Sequence, residues 1–186
     1  NKTTTNTIEI NDTIANVAFP NGGFQNLTNL NQLHQGVELD FRYRVSSNLT
    51  AKVFGSYGDW VYNGNAEFDL YDDSQKLVKT VDALNVDGIH VGGAAQTSFG
   101  LGADYRIKGF NAYADYNFYD NLYSNIGAQA TELKLPSFSL LDLGLGYTFF
   151  LANKQAIGLR ANVYNVLGTE YISKSTTSTA ASATET

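Results

Sequence analysis

The chain has 186 residues, a formal net charge of −6 and 43% apolar residues, and it contains no cysteine. This composition argues against nucleic-acid binding, which needs a basic surface, and against disulfide frameworks and Cys-ligated zinc sites. No run of about 20 apolar residues is present, so a membrane-spanning helix is excluded while a membrane β-barrel is not. Abundant Tyr, Phe and Gly, with 12, 11 and 17 copies, are typical of strands, aromatic girdles and turns.

The segment that begins near Gln32 shows the clearest alternation in the chain. Its apolar side chains all have one parity, namely Val37, Leu39, Phe41, Tyr43 and Val45, and its charged ones have the other, namely Glu38, Asp40, Arg42 and Arg44. Successive side chains of a β-strand point to opposite faces of the sheet. The pattern therefore predicts a strand with one apolar face and one charged face.

Five further segments repeat this alternation and predict five more strands. They begin at Leu49, Thr97, Phe110, Ser137 and Ala156. The connections are alternately short, at 46–48, 108–109 and 152–155, and long, at 69–96 and 121–136, with a further long loop predicted near 1–31. Residues 173–186 are small and polar and predict a loop or a disordered tail. Tight turns on one rim and long loops on the other are typical of an antiparallel transmembrane β-barrel, and residues 1–172 are assigned to it.

Charged residues in the six predicted strands share one face, which the pattern assigns to the barrel lumen. They are Glu38, Asp40, Arg42, Arg44, Lys52, Asp104, Arg106, Asp115, Asp142 and Arg160. An Arg or Lys that faces lipid near the midplane costs about 2 to 4 kcal/mol, so the opposite, charge-free face suits lipid. Tyr43, Tyr105, Phe110, Tyr147 and Phe149 fall near the short turns and predict an aromatic girdle. The alternative is a soluble β-sandwich whose apolar face is its core.

Several motifs carry a family resemblance that covers about residues 34–171. They are the segments L-H-Q-G-V-E-L-D-F at 33–41, G-D-W-V-Y at 58–62, V-D-G-I-H-V-G-G-A-A-Q at 86–96, Y-D-N-L-Y at 119–123 and N-V-Y-N-V-L-G-T-E-Y at 162–171. Together they resemble the C-terminal barrel portion of a TonB-dependent outer-membrane receptor, of the type found in Bacteroidetes-like bacteria.

The resemblance implies a 22-stranded barrel with an N-terminal plug in the outer membrane of a Gram-negative bacterium. Such a receptor takes up a scarce nutrient, whether siderophore, glycan or peptide, with energy delivered through TonB. The implied partners are outer-membrane lipid, the remainder of the same barrel and its plug, and the TonB complex acting through that plug. On this interpretation the chain is a fragment of about six strands, and the plug, the TonB box and the final strand lie outside it.

No residue constellation predicts catalysis or a metal or cofactor site, because the two histidines, His34 and His90, are not at ligand spacing. We therefore expect no enzyme activity. Substrate contact is predicted at aromatic residues of the upper lumen and loops, namely Trp60, Tyr62, Tyr71, Tyr119 and Tyr123. For each of these, packing within the girdle or a loop is the alternative. The lumen charges are interpreted as a network that holds the wall against the plug.

Two other functions remain open at this point. The barrel could act chiefly as a surface receptor that docks a lipoprotein or another protein through the acidic loop 69–96. The third hypothesis is a passive porin or a barrel enzyme. The sequence shows no paired His and Ser that would support an enzyme. A plug domain would favour uptake, a partner resolved over the loop would favour docking, and an open lumen would favour a porin.

Overall fold

The computed structural model describes residues 4–10, 13–14, 16–126, 131–151 and 155–176. Across these residues the secondary structure is entirely β, and no helix in them is long and apolar enough to cross a membrane. The long strands are β1 (Thr4–Ile10), β4 (Gly23–Leu30), β5 (Gln32–Arg44), β6 (Leu49–Tyr62), β7 (Asn65–Asp72), β8 (Leu77–Asn85), β9 (Thr97–Ile107), β10 (Phe110–Asp120), β13 (Phe138–Phe150) and β14 (Ala156–Val163). Four two-residue strands complete the list: β2 (Thr13–Ile14), β3 (Val17–Ala18), β11 (Leu122–Tyr123) and β12 (Lys134–Leu135).

The six strands predicted from alternation form one antiparallel sheet, which we call the wall. Its order is β14-β13-β10-β9-β6-β5, so every strand pairs with its neighbours among the six in chain order. The longest ladder runs from the Gln32–Tyr62 pair to the Arg44–Thr50 pair of β5 and β6 without a register shift. The predicted all-β antiparallel fold is confirmed.

One face of the wall is apolar and unusually exposed. Leu145 is 58% exposed and Phe41 is 55% exposed, although large apolar side chains of a water-soluble sheet are normally covered. The predicted girdle residues lie near one another. Tyr105 lies 6.4 Å from Phe110 on the neighbouring strand, and Tyr147 lies 4.6 Å from Phe149 on the same strand, centroid to centroid. This face fits a lipid environment better than water.

Short turns close the wall on one side, which we call the lower rim. The Ser46 hydroxyl accepts hydrogen bonds from the backbone N–H groups of Asn48 and Leu49, which stabilises the first turn. Lys108, with φ of 51°, and Gly109 form the second. The third is closed by the Leu151 N–H to Gln155 carbonyl bond of 2.9 Å, and residues 152–154 lie outside the described part of the chain.

A second antiparallel sheet, with the order β1-β4-β7-β8, rises from the opposite, upper rim. Strands β4 and β5 are separated by one residue and β6 and β7 by two, while β4 pairs with β7 and β5 with β6. These four strands therefore form one long hairpin that extends the wall beyond the band of exposed apolar side chains. Segments 1–31 and 69–96, predicted as long loops, thus contain regular strands, and their extracellular location remains a prediction.

The buried core of the described residues lies where the second sheet meets the upper rim. Its centre consists of Leu27, Leu30, Ala66, Phe68, Leu70, Val86 and Ile126, with Phe19, Tyr62 and Val91 around them. Strand β7 contributes Ala66, Phe68 and Leu70, which places the carboxylates of Glu67 and Asp69 on the other side. This packing fixes the second sheet on the end of the wall.

Candidate functional site

The charged face of the wall has a defined row structure. Strand register places Arg42 beside Lys52, Lys52 beside Gly102, Gly102 beside Asp115, and Asp115 beside Asp142. One row thus crosses five strands with charges at four of its five positions. Side chains of equal height on neighbouring strands lie about 4.5 to 5.5 Å apart at Cβ, so these charges act on one another directly.

Lys52 is the centre of the ion-pair network on this face. Its Nζ lies 2.7 Å from Asp115 Oδ1 and 3.2 Å from Asp104 Oδ2. Gly102 makes room for the network, because a Cβ at that position would overlap the Asp115 carboxylate and the end of the Lys52 side chain. One cation therefore bridges two carboxylates that would otherwise repel each other.

Aromatic rings on the charged face cover glycines of the next strand. The ring of Phe54 occupies the space that a side chain at Gly100 would need. Phe54 lies on the same face of β6 as Lys52. The alternation in the sequence therefore predicts no apolar neighbour for its ring. The backbone of Gly100, which has no side chain of its own, supplies this contact and is buried beneath the ring.

The upper end of the charged face carries a platform built around Trp60. Its ring stacks on His34 with centroids 5.2 Å apart and planes 11° apart. Gln96, which is 2% exposed, holds the Trp60 backbone from behind: its Oε1 accepts from the Trp60 N–H and its Nε2 donates to the Trp60 carbonyl, both at 2.9 Å. The platform is therefore pre-positioned by a buried side chain.

A second group at the upper rim joins two loop segments. Glu132 Oε2 accepts hydrogen bonds of 2.8 Å from the backbone N–H and from Nδ1 of His90, and the His90 ring stacks on Tyr123 at 4.2 Å. Partial burial raises the pKa of Glu132, but the hydrogen bonds from His90 outweigh it, and the net pKa lies below the ordinary value. Burial raises the pKa of Tyr123, and the Glu132 carboxylate adds to the rise. We call this group the loop clamp.

The segment after β14 turns back over the wall at Asn165. Its side chain donates to the Thr169 carbonyl and accepts from the Thr169 N–H, while Asp142 accepts from the Asn165 N–H at 2.8 Å. The turn places Tyr171 on Phe138, with centroids 4.2 Å apart, and Phe138 in turn lies 5.0 Å from Tyr119. Three rings thus form a stack near the upper rim.

Comparison with known families identifies the barrel. Residues 7–166 match the model described as TonB dependent receptor-like, beta-barrel. The chain belongs to the TonB-dependent receptor β-barrel family. Comparisons with curated proteins and with solved structures gave no significant match. The Bacteroidetes-like origin suggested by the motifs remains a prediction.

In a TonB-dependent receptor barrel the exposed apolar face meets lipid and the charged face lines the lumen. All ten charges predicted for the lumen have the parity of the charged face, opposite to the exposed apolar side chains. Among them, only Lys52, Asp104 and Asp115 form salt bridges to described residues. Asp142 instead accepts a hydrogen bond from the Asn165 N–H. For all ten residues, a position in the lumen remains a prediction.

The five aromatic residues predicted to contact substrate do not form one cluster. Tyr62 is 5% exposed in the core of the upper rim, and Tyr123 is 9% exposed within the loop clamp. Trp60, Tyr71 and Tyr119 are partly accessible and lie in separate places, on β6, β7 and β10. Substrate contact by any of the five remains a prediction.

Sequence reasoning missed Gln96, Glu132 and Tyr171, which position the platform, the clamp and the ring stack. Gln96 and Glu132 fall in predicted loops, where no periodicity marks an inward side chain. Tyr171 lies in a matching motif, but the turn at Asn165 that carries it back over the wall is visible only in the structure.

Proposed function

We propose that the chain forms part of the wall of an outer-membrane receptor that takes up a scarce nutrient with energy delivered through TonB. Membership of the TonB-dependent receptor barrel family carries this proposal. The two-faced wall supports it, because an exposed apolar face and a polar lumen face are what a membrane barrel requires. The family is one of transporters and receptors, and no catalytic role enters the proposal.

The proposed entry point for the nutrient is the upper end of the lumen face. Trp60 and Tyr119 offer accessible rings there, and aromatic faces bind flat apolar surfaces of ligands. Gln96 and Phe138 hold the two rings in place, which lowers the entropy cost of binding. Tyr62 and Tyr123 would contribute indirectly, by fixing the rim.

The uptake proposal is tested in the full-length receptor expressed in a host that lacks it. Growth on single sources of iron, glycan or peptide should depend on the receptor, and deletion of TonB should abolish that growth. A Trp60→Ala variant should lower uptake, while Trp60→Phe should retain most of it. Uptake that persists without TonB would contradict the proposal and favour a passive porin.

Surface docking is a second candidate, favoured by the ordered hairpin of β7 and β8. This hairpin carries Asp69, Asp72 and Asp73 near its tip, and Leu77 and Val78 are about half exposed on the edge strand. An edge strand with exposed apolar and acidic side chains can bind a partner protein. A deletion of residues 73–76 that abolishes uptake while leaving the folded barrel intact would favour docking.

A further inference from the structure

The link Asn63-Gly64 joins wall strand β6 to strand β7 of the second sheet and has no part in the proposed uptake. It is one of two Asn-Gly pairs in the sequence, and the other is Asn21-Gly22. Both asparagines are exposed, and both glycines have a positive φ, of 87° at Gly64 and 84° at Gly22. The two pairs can therefore be compared within one chain.

An asparagine followed by glycine can react with its own backbone. The Gly64 nitrogen attacks Cγ of the Asn63 side chain and loses its proton, and the side-chain NH₂ group takes up a proton and leaves as ammonia. The product is a succinimide, which water opens at either carbonyl carbon to give aspartate or isoaspartate. No oxidant or reductant takes part. Glycine favours ring closure because it has no Cβ to hinder its nitrogen.

A carboxylate lies beside the reacting nitrogen of the Asn63-Gly64 link. The Gly64 N–H donates to Asp87 Oδ1 at 2.8 Å. A general base acts from about 2.6 to 3.2 Å from the atom that loses the proton, and Asp87 Oδ1 lies within that range. A Cβ placed on Gly64 would meet nothing within 4 Å apart from its chain neighbours. The succinimide ring therefore has both a base and room to form.

At Asn21-Gly22 the corresponding hydrogen bond goes to a group that is not a base. The Gly22 N–H donates to the Phe19 backbone carbonyl at 3.1 Å. A backbone carbonyl oxygen accepts hydrogen bonds but, unlike a carboxylate, is not a titratable group. The two pairs thus share their residue types, their exposure and the sign of φ at glycine. They differ in the group that faces the glycine N–H.

We propose that Asn63 is a self-modification site, where Asp87 assists the loss of ammonia and the link becomes aspartate or isoaspartate without an enzyme. Isoaspartate lengthens the main chain by one methylene, and either product adds a carboxylate close to that of Asp87. Like charges repel each other. The modified link therefore holds the second sheet less firmly on the wall. This modification is independent of the proposed uptake, which rests on family membership.

Peptide mapping of the folded full-length receptor, after incubation in mildly alkaline buffer, tests the proposal. Trypsin places the two asparagines in separate peptides, because Arg42, Arg44 and Lys52 lie between them. Mass spectrometry measures deamidation in each peptide, and labelling by an isoaspartyl methyltransferase detects isoaspartate. Asn63 should convert several-fold faster than Asn21 in the folded receptor and at a similar rate in urea. Conversion of Asn63 no faster than that of Asn21 in the folded receptor would overturn the proposal.

Replacement of Asp87 by Ser tests the role of the carboxylate, because serine offers an acceptor oxygen but no base. Asp87→Ser should slow conversion of Asn63 several-fold and leave Asn21 unchanged. The control, Glu67→Gln, removes the same charge from an exposed position on β7 and should change neither rate. Equal rates at Asn63 with and without Asp87 would overturn the assistance. If Asp87→Ser fails to fold, the comparison of Asn63 with Asn21 in the unaltered receptor decides.

Hydrogen exchange measures the effect of the modification on the second sheet. Protection of the β7 amides should fall as Asn63 converts. The Asn63→Gln variant, whose longer side chain does not close the succinimide ring, should keep its protection over the same incubation. Unchanged protection of β7 in fully converted receptor would overturn the predicted loosening, while uptake that depends on TonB would be unaffected by that result.

Discussion

Replacement of Phe41 by Arg tests the assignment of the two faces. Phe41 lies in the middle of the apolar series of β5, opposite Val53, and its ring lies 6.3 Å from that of Tyr43. An Arg that faces lipid near the midplane costs about 2 to 4 kcal/mol. That cost corresponds to a fall of about 30- to 700-fold in the ratio of folded to unfolded barrel.

The neighbouring Arg42→Gln substitution is the matched control. Arg42 lies beside Lys52 on the lumen face and forms no salt bridge to a described residue. Its loss removes a like charge next to Lys52, so we expect a change within about 0.5 kcal/mol. Two adjacent positions of one strand should therefore respond in very different ways.

Refolding of the full-length barrel into lipid vesicles measures both effects. The folded fraction at a series of urea concentrations is read from the mobility shift of unheated samples on denaturing gels. Phe41→Arg should shift the midpoint strongly to lower urea, and Leu143→Arg, on the interior strand β13, should do the same. Equal damage from Phe41→Arg and Arg42→Gln would refute the face assignment.

Two further predictions concern the lumen face and the upper rim. Gly100→Val should destabilise the barrel by about 1 to 3 kcal/mol in the same urea assay, because the new side chain overlaps the ring of Phe54. Gly55→Ala, with open space around its Cβ, should have little effect, and a reversed order would contradict the packing. The lowered pKa of Glu132 means that the loop clamp is stabilised above the ordinary glutamate pKa of 4.5 and loses that stabilisation as the pH falls through the folded-state value. Hydrogen exchange at the His90 amide, corrected for intrinsic rates, should therefore accelerate in acid, and Glu132→Gln should remove this pH dependence.

The wall could be predicted from the sequence because successive side chains along each of its strands face different environments. A side chain of β10 faces either lipid or lumen, so the sequence from Phe110 onward alternates along its whole length, and the strand begins at the predicted residue. The second sheet does not have this signal throughout. In β4 the buried positions include Gln25 as well as Leu27, so burial there does not follow hydrophobicity. Strand β7 does alternate, but its acidic residues and its place between two wall strands suggested a loop.

The candidate site likewise has features that the sequence predicts and features that only the structure shows. Local alternation determined which charges share a face, because the parity of a strand needs no knowledge of its neighbours. Which charges meet was decided by register between strands: Lys52 bridges Asp104 and Asp115 because β6, β9 and β10 align there. The polar tail is only partly placed: the Ser175 carbonyl accepts from the Asn125 N–H, and residues 177–186 lie outside the described part of the chain.

The sequence by itself therefore determined a two-faced antiparallel wall, its turns and the parity of its charges. The tertiary structure decided the sheet above the upper rim, the burial of Tyr62 and Tyr123, and the loop clamp. The physical reason is distance along the chain. Alternation reflects the environment of each side chain separately, so it can be read from a short stretch of sequence. Glu132 and His90, in contrast, are 42 residues apart and meet only after the strands between them have paired.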